Sequence, residues 1–85
     1  MNLEITKQIY SVEIDSKKII LDSKTGKYFE LNGVGSEIIS FLQESPKPFN
    51  DLILHLTTKY RVKRETIESD VLKFIDKCVF IKKIL

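Results

Sequence analysis

The residues able to do chemistry are few and scattered. The 85-residue sequence has one histidine and one cysteine, His55 and Cys78. That pair cannot supply the four Cys or His ligands of a structural zinc site, and a lone cysteine closes no internal disulfide. Cys78 falls on an apolar helical face with Val71, Phe74 and Ile75, where a thiol packs as a small hydrophobe and is a poor nucleophile. His55 falls off the apolar stripe of its own helical segment, and no second group is spaced to work with it. A solvated surface histidine is therefore expected. The acids Glu30, Glu37, Glu65, Glu68 and Asp70 match no HExxH, paired-carboxylate or calcium-loop spacing. Gly33-Val34-Gly35-Ser36 has the small residues of a phosphate loop but neither a third glycine nor a following Lys-Ser/Thr. It reads better as a helix start, with Asn32 or Gly33 as the cap and Gly35 permitting close packing. The expectation is no catalytic group, no metal and no cofactor.

The elements that would position any site are legible from periodicity. Tyr10, Val12 and Ile14 alternate with Ser11, Glu13 and Asp15, the period of a half-buried strand. Asp15-Ser16 supplies a turn, and Ile19, Ile20 and Leu21 form a second short strand. Asp22-Ser23-Lys24-Thr25-Gly26 turns again, and residues 27–31 form a third strand with Phe29 and Leu31 on one face. Such short connections favour antiparallel pairing. From Val34 the period becomes helical, with Ile38, Ile39, Phe41 and Leu42 on one side. Ser45-Pro46-Lys47-Pro48 ends that helix. A second helix spans residues 49–60 with Leu52, Ile53, Leu56 and Tyr60 in its stripe, and Leu54 off it. A third spans roughly 65–78. Residues 79–85 either extend it or cross the core.

The sequence thus predicts one α+β domain over residues 1–85, winged-helix-like, with a three-stranded antiparallel sheet followed by three helices. Its expected core is Val12, Ile20, Phe29, Leu31, Ile38, Leu42, Leu52, Leu56, Val71 and Ile75. Hydrophobic residues make up 42% and charged residues 31%, a composition that folds rather than staying disordered. The net charge of +2 is too small to name a partner. No run is long enough to span a membrane, and MNLEITKQIY lacks the apolar stretch of a signal peptide. A cytoplasmic protein is expected.

Two binding classes remain. A winged helix can read DNA, but a reading helix presents cations and amides to the groove. The third helix instead carries Glu65, Glu68, Asp70 and Asp76 among Arg64, Lys73 and Lys77. Peptide capture fits better. Ile67, Val71, Phe74, Ile75 and Cys78, flanked by Leu72 and Val79, make an apolar arc of about 160°, wider than one core-facing stripe needs; a helix gripped on two sides by its own domain explains that width as well as a groove does. The strand at residues 27–31 closes the meander, so it is a candidate sheet edge. An open edge beside an apolar helix is the geometry of strand addition. An unfilled edge also allows pairing or strand exchange with a second copy.

The run ILDSKTGKYFELNGVGSEIISFL carries a further signal. Leu21, Asp22, Gly26, Tyr28, Phe29, Leu31, Asn32, Gly33 and Gly35 resemble the pattern of the RiPP recognition element. This family is typified by pyrroloquinoline-quinone biosynthesis protein D, and the nearest resemblance is to the stand-alone B proteins of lasso-peptide systems. Leu52, Leu56, Tyr60, Asp70-Val71 and Phe74-Ile75 extend the match downstream. The segment before the third helix, Val62-Lys63-Arg64-Glu65, and the stretch Cys78-Val79-Phe80-Ile81 depart from the family pattern.

The resemblance implies binding of the leader segment of a ribosomally made precursor peptide, without catalysis. It also implies delivery to a separate leader peptidase or modifying enzyme. The leader would lie antiparallel along the third strand and press on the third helix. The site residues expected on that basis are Tyr28, Phe29, Glu30 and Leu31 from the strand and Ile67, Asp70, Val71 and Phe74 from the helix. Asp70 would either meet a leader cation or pair locally with Lys73 or Lys77.

Overall fold

The computed structural model describes residues 1–5, 9–31, 33–78 and 80–84. The cap expected at Asn32 and the arc extension expected at Val79 lie outside the described residues. The meander forms as β2 (Ile9–Ile14), β3 (Lys17–Asp22) and β4 (Tyr28–Leu31), antiparallel in the order β2-β3-β4. Ile14 pairs with Lys17, which leaves Asp15 and Ser16 as a two-residue loop with φ of 51° and 66°. A loop with both central residues left-handed has the twist that antiparallel strands need. Asp22 organises the next loop. It exchanges backbone bonds with Lys27 and Gly26, both at 2.8 Å, and its Oδ1 accepts from the Lys24 amide at 2.9 Å. Gly26 takes φ 76° there, which glycine adopts without steric cost.

Three helices follow, as the periodicity requires: α1 (Gly33–Glu44), α2 (Phe49–Tyr60) and α3 (Arg64–Lys77). Pro48 precedes α2 at φ −62°, a position where its missing amide proton is no loss. Arg61 ends α2 in the left-handed conformation, donating to the Thr57 carbonyl. The core gathers Ile20 from β3, Ile38, Ile39 and Leu42 from α1, Leu52, Ile53 and Leu56 from α2, and Ile67, Val71 and Ile75 from α3. Phe29 and Leu31 are half-buried and pack against it.

Two features depart from the expectation. Residues outside the meander build a second sheet, in which β1 (Asn2–Ile5) lies between the short β5 (Lys47–Pro48) and β6 (Ile81–Ile84). Asn2 pairs with Ile84 and Ile5 with Ile81, so of the two paths expected for the tail it does not extend α3 but lies against the core as a strand. It brings Phe80 and Ile81 into the core with Leu3, and Phe80 meets the Phe29 ring at 5.6 Å.

The other departure is Val12, expected in the core but 57% exposed. Alternation in β2 is real, but the apolar side faces out. On its other side Ile9 and Ser11 are half-buried, the Ser11 hydroxyl accepting from Gln43 at 2.6 Å, and the exposed Glu13 pairs with the buried Lys18 at 3.3 Å. Those partners satisfy groups that would otherwise be costly to cover.

Candidate functional site

In the order β2-β3-β4, β4 bonds β3 on one side, and among the described residues no strand pairs with its other edge. Strand alternation divides its side chains. Phe29 and Leu31 turn inward; Tyr28 and Glu30 turn out. Tyr28 is 74% exposed. Glu30 pairs with Lys17 of the neighbouring strand at 2.8 Å, and the hydrogen bond from this pairing raises the Lys17 pKa.

Leu31 leads to α1 and α3. A methyl group placed on Gly35 would stand 3.6 Å from Leu31 Cδ2 and 3.1 Å from Phe74 Cε2. Leu31 of β4, Gly35 of α1 and Phe74 of α3 therefore meet at one point. Asp70 lies one turn before Phe74 on the same flank of α3 and is exposed. Ile67 and Val71, also expected to touch a ligand, are only 2% and 0% exposed. They hold α3 on the core, so the accessible part of that flank is Asp70 and the half-buried Phe74. Phe29 is likewise engaged with Phe80.

A feature missed by sequence reasoning lies on the outer face of the meander. The pairing register aligns Tyr10, Leu21 and Tyr28 across the three strands, with Val12 and Ile14 beside them. All five are exposed. The available signal is the two-residue turn at Asp15-Ser16, which fixes the register and so aligns Tyr10 with Leu21. These residues place apolar side chains of neighbouring strands side by side on the solvent face of the sheet.

The remaining chemistry is structural. His55 does not stand alone in solvent as its position off the stripe implies. Its Nε2 lies 2.7 Å from Glu37 Oε1, and its ring stacks on Phe41 at 4.5 Å. Lys59 donates to the other Glu37 oxygen at 2.7 Å. Hydrogen bonds from Lys59 and then His55 hold the Glu37 carboxyl below its ordinary pKa. The cluster ties α1 to α2. Burial pushes the Cys78 thiol up to about 11, so it stays protonated at neutral pH and is a weak nucleophile. Among the described residues no three His, Cys, Asp or Glu side chains are grouped to hold a metal ion. No described helix is long and apolar enough to cross a membrane. Two surface concavities, of about 350 and 410 Å³, lie along α2 and beside β1 rather than at β4. Strand addition needs an edge, not a cavity.

The described residues thus combine a three-stranded meander ending in β4, a helix flank beside it and a separate exposed apolar sheet face. Residues 17–79 match the family described as coenzyme PQQ synthesis protein D (PqqD), and the chain belongs to that family. It is also similar to two solved structures. One is TbiB1 in complex with the TbiA(beta) leader peptide, at 29% identity and a TM-score of 0.86, covering 96% of this chain and 98% of that one. The other is a lasso peptide synthetase B1 complexed with the leader peptide, at 25% identity and a TM-score of 0.72, covering 85% and 84%. No curated protein matches the chain.

Proposed function

We propose that this chain binds the leader segment of a ribosomally made precursor peptide in lasso-peptide biosynthesis, and passes the precursor to a separate leader peptidase or modifying enzyme. The observation that carries the reading is the likeness over nearly the whole length to a protein solved with a leader peptide bound. The free edge of β4 supports it: backbone groups of Tyr28 to Leu31 offer strand pairing that is blind to sequence, and the flank formed by Leu31, Phe74 and Asp70 offers selectivity. Glu30, paired with Lys17, is exposed on the outer side of the strand. On this reading the chain is a binder: incubated alone with precursor, it should leave the precursor mass unchanged, and a mass shift would point to catalysis.

A titration against a fluorescein-labelled synthetic lasso-peptide leader tests the reading. Strand pairing with apolar anchors should weaken by less than about threefold between 50 and 200 mM salt, whereas a protein making 6–10 phosphate contacts loses roughly 10³–10⁵ in affinity. Binding of duplex DNA at physiological salt without binding of the leader would replace this reading with a nucleic-acid one. The acidic residues Glu65, Glu68, Asp70 and Asp76 on α3 argue against that outcome.

The outer face of the meander supports the delivery half of the reading. Leader pairing uses the edge of β4, so the face carrying Tyr10, Val12 and Ile14 stays free for a second protein. Val12→Lys should leave leader affinity within about twofold and reduce leader cleavage by the partner peptidase by about tenfold, equivalent to roughly 1.4 kcal/mol of contact. Unchanged cleavage would place the partner elsewhere.

A further inference from the structure

We propose that Gly35 is a positioning residue for the peptide site: having no side chain, it lets the Phe74 ring sit back against α1 and so keeps clear the space between α3 and the edge of β4. The inference rests on the leader-binding reading above. Gly35 lies in the first turn of α1, and unlike Gly26 and Gly33 it does not take positive φ. Its backbone therefore accepts alanine, which is also the better helix former. Glycine here answers a need of packing rather than of conformation.

The neighbours say what the need is. A methyl group would stand 3.1 Å from Phe74 Cε2 and 3.6 Å from Phe74 Cζ and Leu31 Cδ2. Carbon pairs prefer about 3.5–4.0 Å, so the first contact must open by a few tenths of an ångström. Leu31 is held by pairing of β4 with β3, where it faces Lys18. Phe74 is the part that yields, because it is half-buried on the flank of α3 that also exposes Asp70. Pushed off α1, the ring moves to its solvent side, into the space a fourth strand needs for its inward side chains. Gly35 thus acts on the ligand through Phe74, without touching it.

The test uses four proteins: wild type, Gly35→Ala, Phe74→Leu and the double variant. Each is titrated with the same labelled synthetic leader and melted by circular dichroism. Gly35→Ala should bind at least about fivefold more weakly than wild type, with a melting temperature equal or higher. Phe74→Leu removes the atoms the methyl would strike. In that background Gly35→Ala should change affinity by less than about twofold, a non-additivity expected only of residues in contact. Equal losses in both backgrounds, or no loss in either, overturn the proposal. So does an unfolded Gly35→Ala chain, since the ring would then have no outward path. If wild type itself fails to bind the leader, the leader-binding reading falls, and this inference with it.

Discussion

Leu56→Ala should lower the free energy of unfolding by about 2–5 kcal/mol, the range for truncating a leucine in a core that cannot collapse around the gap. Leu56 is 0% exposed and sits on α2 in the core shared with α1 and α3. The loss combines apolar area returned to water with the cavity left behind, and rigid neighbours make the cavity persist. A domain of this size has about 5–15 kcal/mol in all, so one such change removes a large share of it. In a urea titration with a slope of about 1–3 kcal/mol/M, the midpoint should fall by about 1 M or more. Leu54→Ala is the matched control. It lies two residues away, points to solvent, and should stay within about 0.5 kcal/mol of wild type. Similar losses at both positions would mean that α2 buries a different face.

That contrast between near neighbours is legible in the sequence, because a helix reports its buried side through spacing alone. The start of α2 is legible too, since Pro48 fixes it; its end falls where the left-handed Arg61 closes the last turn. The strands are less forthcoming. A period of two says which residues share a face but not which face is covered, and β2 shows the cost of that ambiguity. Tyr10, Val12 and Ile14 have the composition of a core face, yet the more covered side carries Ser11, matched to Gln43 from α1, 32 residues away. Polar residues can occupy an inner face when such partners exist, and partners distant in sequence are invisible to pattern reading. The second sheet escapes for the same reason. Its pairs join Asn2 to Ile84 and Ile5 to Ile81, each strand too short to carry a signal alone. At the site, the edge position of β4 follows from its place at the end of the meander. That Gly35 permits close packing is legible too, but not that Phe74 is the ring that uses the space, because periodicity does not pair residues of different helices.

The same limit bears on the wide apolar arc of α3, which pattern alone leaves open between a groove and a helix gripped on two sides by its own domain. Ile67 and Val71 belong to the core, so the arc is broad partly because the helix is gripped from below. Phe74 is what remains at the border, and truncating it should show the effect most directly. Phe74→Ala should weaken leader binding by more than about tenfold, or 1.4 kcal/mol, with the circular dichroism spectrum unchanged. The ring is half-buried, so its removal costs some stability; affinities must be compared at a temperature where both proteins are fully folded. Val71→Ala provides the contrast. Being wholly enclosed, it should lower stability while leaving affinity, per folded molecule, within about threefold. Leu54→Ala should change neither. If Leu54 governs affinity and Phe74 does not, the leader lies along α2 instead, and the edge of β4 is free for another use. If Phe74 matters and Leu54 does not, the ligand lies where an open strand edge and the one half-exposed aromatic ring of α3 come together.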